Sequence, residues 1–328
     1  MSEPHLILGL GELLWDVLPE GPRLGGAPAN FSVMAGRLGN HAAILSRMGR
    51  DDLGLRALTA LEQLDGTPAD PSFVQLDAEH ETGRVTVEFD GGQPSYTIHR
   101  PVAWDFLELS DEWIQLAERA DAICFGTLAQ RHERSRETIQ ALAGLTRAEC
   151  VRVFDVNLRA PFYSGEILEE SLELATVMKM NDAEVPLVME LLGLKFPVPK
   201  GEGPFDKLRA GSGESAMQTD ALREGALCLL KEFPKLGMVA VTRGGDGSLL
   251  VTRKDWDQHP GIATRVADTI GAGDAFTAAM THYLLKGANL STLNEAGNRW
   301  GSWVASQAGA MPVLPATVQA QIAGAIEG

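Results

Sequence analysis

From about residue 110 onward the chain alternates short apolar runs with segments of helical periodicity, and nothing else in it constrains the fold as strongly. The runs DAICFGTL, VRVFDVN, VMKMN and MVAVTRGG are each the length of one strand. Their apolar residues fill most positions instead of every second one, so both faces of each strand must be covered. Strands of this kind, separated by helices, assemble into an α/β fold with a mostly parallel central sheet flanked by helices. The start of the chain agrees. HLILGLGE reads as a buried strand ending in glycine, ANFSVMAGRLG as a helix, AAILSRMG as a strand and DLGLRALTALEQL as another helix. In open sheets of this type, ligands sit beyond the carboxyl ends of the strands. The polar clusters of this chain follow the last apolar residues of its runs, where that rule places a site.

One stretch breaks the pattern. FVQL, GRVTVEFD and PSYTIHR alternate apolar and polar residues, with Gly91-Gly92 between the last two, as half-exposed antiparallel strands do. They are too few to bury a core alone. They are expected as a small antiparallel β lid, drawn from about residues 12–24 and 72–103 and including a strand around Leu13–Leu18, inserted in one domain spanning 1–328. The Gly-, Pro- and charge-rich segment Phe196–Ala216 reads as a loop between two helices.

Composition narrows the function classes. With 328 residues, 45% of them hydrophobic, the chain can bury one large core. A formal charge of −16 and the absence of any Lys/Arg-rich run speak against nucleic acid as a partner. Cys124, Cys150 and Cys228 lie in apolar surroundings and form no close pair, which suits reduced, buried thiols. The opening MSEPHLILGLGELLWD is too acidic and its apolar run too short for a signal peptide. No stretch approaches the ~20 apolar residues of a membrane span. A cytoplasmic enzyme is the expectation.

The strongest chemical signal is DTIGAGDAF, residues 268–276, which leads into the helical stretch AFTAAMTHYLLKG. Gly271 and Gly273, either side of Ala272, allow a tight turn whose N–H groups point outward at a helix start, which is an anion hole for a phosphate. A carboxylate at the same place, Asp274, would repel that phosphate unless it acts on the substrate. General base toward a hydroxyl lined up with the phosphorus is such a role. Asp274 can also be read as a plain N-terminal helix cap.

The nonapeptide resembles the C-terminal signature of the ribokinase/fructokinase family, the PfkB-type carbohydrate kinases. Other segments agree in order and spacing. Gly11-Glu12-Leu-Leu-Trp-Asp16 and Gly25-Gly26-Ala27-Pro28-Ala29-Asn30 look like that family's sugar-binding segment. Asp155-Val-Asn157-Leu-Arg159 resembles its D-x-N-x-R strand end, Asn181-Asp-Ala-Glu184 its N-x-x-E motif, and Thr242-Arg-Gly244-Gly245-Asp246-Gly247 its nucleotide-side turn. Asn298, eleven residues before Gly309-Ala310, matches an asparagine near the adenine pocket.

The resemblance implies a ribokinase-like fold and ATP-dependent phosphorylation of a sugar hydroxyl. Asp274 would be the base, with Gly271, Ala272 and Gly273 as the anion hole. Asp16, Gly25, Gly26, Asn30, Arg100, Asn157 and Arg159 would face the sugar, although Asp, Asn and Gly also favour turns and most arginines pair at surfaces. Asn181, Thr242, Gly244, Gly247 and Asn298 would face ATP. Glu184 would hold Mg2+ through water, or be a helix-start carboxylate favoured by the dipole. Asp268 would bind a monovalent cation such as K+, or simply anchor its loop. GGAPAN with GELLWD looks most like the fructokinase branch, so D-fructose comes first, then another ketose or a 2-keto-3-deoxy sugar acid, then a nucleoside. A non-catalytic sugar-binding regulatory protein is the rival from another class. A homodimer through the lid is expected. Two departures from the family pattern stand out: Ile270 replaces a common threonine, and the loop from Phe196 is long.

Overall fold

The computed structural model describes residues 4–18, 21–66, 68–90, 93–197 and 214–327. Its centre is a nine-stranded sheet in the order Trp256–His259, Ser248–Thr252, Met238–Thr242, Val177–Asn181, Val151–Asp155, Ala122–Gly126, Leu6–Leu10, His41–Leu45 and Ala69–Asp70. The seven strands from Met238–Thr242 to Ala69–Asp70 pair in parallel. The edge of the sheet beyond Met238–Thr242 is closed by two antiparallel pairings.

The apolar strands are buried on both faces, and neighbouring residues divide between two cores. Leu8, Leu10, Ile123, Phe125, Phe154, Met178, Met180, Val239 and Val241 enter one core. Ile7, Ala122, Cys124, Val153, Val177, Met238 and Ala240 enter the other. The second face carries the smaller side chains, which lets two helices approach closely. At Gly9 a Cβ would collide with the Pro28 carbonyl and the Ser32 hydroxyl, so the helix Ala27–Arg37 crosses directly over the central strand. That crossing brings Asn30 beside the first turn of the helix Ala272–Leu285, the two groups that meet at the site.

A separate four-stranded sheet runs Gly21–Gly25, Leu14–Leu18, Arg84–Asp90, Gln93–Ile98. Its two hairpins are antiparallel, and they join through a parallel pairing of Trp15 with Arg84 and Val17 with Thr86. The turn at Gly91-Gly92 lies outside the described residues. FVQL does not belong to this lid. Gln75–Asp77 pairs in parallel with Arg47–Gly49, held there by the buried Asp77 carboxylate, which receives Arg47 Nε at 2.9 Å. Period-two alternation marks a half-exposed strand but not its partner, and this ion pair chooses the partner. The stretch read as one strand, AAILSRMG, accordingly splits at Ser46 between the nine-stranded sheet and this separate two-stranded one.

Candidate active site

The helix Ala272–Leu285 starts at Gly271, whose φ of 78° lies in the left-handed region. A Cβ there would come to 2.6 Å from Ala310 Cβ, so both backbone and space demand glycine. Ala272, Gly273 and Asp274 form the first helical turn, where N–H groups lack helical acceptors and the dipole favours anions. The helix start has no side-chain cap. Asp274, the third residue of the helix, turns its carboxylate elsewhere. Its Oδ2 instead accepts from Asn30 Nδ2 at 2.7 Å. The Asp274 side chain is buried, and burial first, then the charge of Asp155, lifts its pKa from 3.8 to about 6. Lys179, the Asn30 hydrogen bond and Arg159 pull the other way.

Beneath this turn lies Lys179, only 7% exposed. Its Nζ donates to both oxygens of Asp155, at 3.1 and 3.2 Å. Thr277, one turn into the Asp274 helix, donates its hydroxyl to Asp155 Oδ2 at 3.1 Å. A Cβ on Gly273 would sit 3.0 Å from Lys179 Nζ, so the missing side chain gives the ammonium its place under this turn. Burial works against the charge of Lys179. The carboxylates of Asp155, Asp274 and Glu184 more than offset that, and its pKa stays raised.

In the lid hairpin and the turn after it, Gly26 is required by close approach, while Gly25 leaves room for the Asp16 carboxylate. Asp16 Oδ2 would lie 2.9 Å from a Cβ on Gly25, and a Cβ on Gly26, at φ 114°, would overlap the Glu12 carbonyl. Burial raises Asp16 to about 6 and Glu12 to about 7. Glu12 Oε1 accepts from Ala27 N at 3.2 Å, but its Oε2 is buried without a partner, and so is Asn30 Oδ1. Glu12 lines a narrow cleft, no roomier than a single water, together with Asp155 and Asn157. Asn157 holds a left-handed φ of 39°, a conformation asparagine tolerates. Arg159 is exposed, donates to the Leu158 carbonyl, and its charge reaches Asp16, Glu12 and Asp274. Arg100 lies over the Phe162 ring at 5.3 Å, where it joins the lid to the body.

The remaining predicted residues gather at the ends of neighbouring strands. Asn181 and Glu184 bond reciprocally: Glu184 Oε2 accepts from Asn181 N at 2.8 Å and Asn181 Oδ1 from Glu184 N at 3.0 Å. This is capping-box geometry. Glu184 Oε1 also accepts from Leu158 N at 2.7 Å, which ties the two strand ends together. Thr242 ends its strand, and Gly244 and Gly247 take φ of 55° and 82° in the turn that follows. Asn298 is less accessible than its sequence position implied. Its Nδ2 donates to Ser248 Oγ at 2.6 Å and the Asn294 carbonyl at 2.8 Å, so its N–H groups hold helix to strand and only its oxygen is left for a ligand. Asp268 anchors its loop, one of its two expected roles: Oδ2 receives Arg23 Nη1 at 2.6 Å and Gly309 N at 3.2 Å, and Oδ1 receives Ile270 N at 3.0 Å. The Arg23 guanidinium is thus the cation this carboxylate meets among the described residues. Among the described residues no group of three His, Cys, Asp or Glu could hold a metal directly.

A family model described as pfkB family carbohydrate kinase matches residues 21–317. The chain belongs to that family. Among the relatives of this pfkB kinase, a fructokinase of Escherichia coli is 28% identical over 334 residues, covering 93% of this chain and 95% of the relative. A sugar kinase of Pyrococcus horikoshii, solved in complex with ATP, superposes with a TM-score of 0.73 at 26% identity, covering 93% and 94% of the two chains. A Vibrio cholerae fructokinase with fructose, ADP and calcium bound shares the fold with a TM-score of 0.73 at 24% identity, covering 96% and 98%. The fold is ribokinase-like, and the protein is an ATP-dependent carbohydrate kinase.

Two residues of the pfkB kinase's candidate site escaped sequence reasoning. Glu12 stood inside a quoted motif without a role, and its only signal was a carboxylate in an otherwise apolar run. Lys179, in VMKMN, is a lone lysine at a buried-strand position. A charge in such a run calls for a buried partner, and that signal was legible.

Proposed function

We propose that this kinase phosphorylates D-fructose, with Asp274 as general base. The observation that supports it best is the pair of buried, unpartnered acceptors Glu12 Oε2 and Asn30 Oδ1 at the Asp274 carboxylate. Buried acceptors without donors are costly, and a sugar presents several hydroxyl donors at once. Asp16 and Asp274, mostly ionised at pH 7, with Glu12 partly so, favour a neutral ketose over a 2-keto-3-deoxy sugar acid, whose carboxylate they would repel.

Asp274 draws the proton from the sugar hydroxyl as that oxygen attacks the γ-phosphorus of ATP, and ADP leaves. Asn30 fixes the carboxylate's direction. A base near pKa 6 is largely ionised at pH 7 and still basic enough to take the proton. The Gly271–Gly273 turn holds the phosphoryl oxygens, with the Lys179 ammonium below it opposing their charge. Asn157, Arg159 and Asp16 orient the sugar, while Thr242, Gly244, Gly247, Asn181 and the Asn298 oxygen face the nucleotide. Magnesium, which prefers water and phosphate ligands, would be held through its waters by Glu184 and neutralise phosphate charge.

The lid covers the sugar and pairs with a second copy to form a homodimer, since a four-stranded sheet leaves unpaired edges. Three free cysteines, two of them buried, suit a reducing cytoplasm, and no helix among the described residues is long and apolar enough to cross a membrane. The net charge of −16 disfavours nucleic acid as a partner. An ADP-release screen over ketoses, aldoses, sugar acids and nucleosides tests the reading. Fructose should give the highest kcat/KM, and a sugar acid in first place would overturn it.

A further inference from the structure

The Arg23–Asp268 contact links two parts of the molecule that lie 245 residues apart in sequence. Arg23 stands on the lid strand Gly21–Gly25, directly opposite Asp16 in the hairpin register. One hairpin thus carries Asp16 toward the sugar and Arg23 toward the phosphate turn. Asp268 sits three residues before Gly271, and all three of its donors converge from different segments: Arg23 from the lid, Ile270 from its own loop, Gly309 from beyond the last sheet helix. The backbone repeats the junction, because Ala267 N and Asp268 N both bond to the Ala305 carbonyl, at 2.8 and 3.2 Å. Ala310 in turn closes on Gly271. Moving Arg23 would therefore disturb the loop whose last residues form the anion hole.

We infer that Arg23 is a positioning residue: a cation that the lid supplies to Asp268, so that the anion-binding turn is set when the lid strand is docked. It occupies the carboxylate that a monovalent cation would otherwise take. Arg suits this better than Lys because its charge is permanent and its planar fork fixes direction. The inference rests on the proposed roles of the lid and the Gly271–Gly273 turn, and its test is read first without substrates.

Hydrogen exchange and thermal unfolding are compared for the full chain, Arg23→Ala and Arg23→Lys, each in KCl and in tetramethylammonium chloride at equal ionic strength. Arg23→Ala should speed exchange at residues 268–273 by about fivefold, the scale of one half-exposed ion pair. Arg23→Lys should retain most of the protection, which separates loss of charge from loss of side-chain bulk. The unsubstituted protein should show the same Tm and the same protection in both salts. With substrates, Arg23→Ala should lower kcat by a larger factor than it raises KM for ATP. Unchanged exchange at 268–273 in Arg23→Ala would remove the positioning role. A rise in Tm and protection in KCl for the unsubstituted protein would show that the carboxylate takes a cation in spite of Arg23. Neither result depends on which sugar is the substrate.

Discussion

Replacing Asp274 by Asn should abolish most activity and at the same time make the protein more stable. The carboxylate is buried and its pKa stands at about 6 instead of 3.8. That difference corresponds to about 3 kcal/mol of folding free energy lost once the group is ionised in both states. The sign follows from the raised value. Below about pH 4 the carboxyl is neutral folded or unfolded, and it carries no penalty. Between about pH 4 and 6 the unfolded chain ionises first, and the penalty grows; above pH 6 it is complete. Asn keeps an oxygen to accept from Asn30 and never ionises, so it escapes the penalty. At about 2.1 cal/mol/K per residue, a chain of 328 residues has an unfolding entropy near 0.7 kcal/mol/K, so 3 kcal/mol is about 4 °C in Tm. Scanning calorimetry at pH 8 should show Asp274→Asn melting about 4 °C higher, with the two curves converging near pH 4. Its kcat should fall by roughly 10²–10⁴, the usual contribution of a general base. A variant with wild-type Tm at pH 8 would refute the destabilising buried carboxylate, and one with near wild-type kcat would refute the base.

Other substitutions probe the rest of the site. In the unsubstituted enzyme, log kcat/KM should rise with unit slope up to about pH 6 and then level, and a profile flat down to pH 5 would count against Asp274 as the titrating base. Glu12→Gln and Asn30→Ala should raise KM for the sugar at least tenfold while leaving KM for ATP within about twofold; changes confined to ATP would move these residues to another site. Lys179→Met leaves Asp155 buried without its counter-charge and should cost about 3–5 kcal/mol. Adding Asp155→Asn should restore much of that stability but not kcat, and recovery of both would reduce Lys179 to a structural role. Sedimentation should give about twice the 35.2 kDa chain mass, whereas a monomer would remove the lid-paired dimer.

The parallel sheet was legible because burial on both faces leaves a plain mark: apolar residues at most positions of strand-length runs, with turns between them. The phosphate turn was legible for a similar reason. Gly271 needs a left-handed backbone and tolerates no side chain against Ala310, so local geometry writes itself into local sequence. The strand partner of FVQL was not legible, since alternation reports exposure and not neighbours; the Arg47–Asp77 contact decided it. Nor was the state of Asn298 or Asp268, because a polar residue near a motif looks the same whether it faces a ligand or a partner within the protein.

By itself, then, the sequence determined the strand–helix order, the glycine turn and the presence of a carboxylate at its helix start. Only the tertiary structure decided what surrounds that carboxylate. Asn30, Lys179 and Asp155 lie 244, 95 and 119 positions from Asp274 in the chain. Their effect on it is Coulombic or a hydrogen bond, both functions of distance through space and of the water excluded between them. The same holds for Arg23 and Asp268, whose opposite charges carry no sign in the sequence that they will meet.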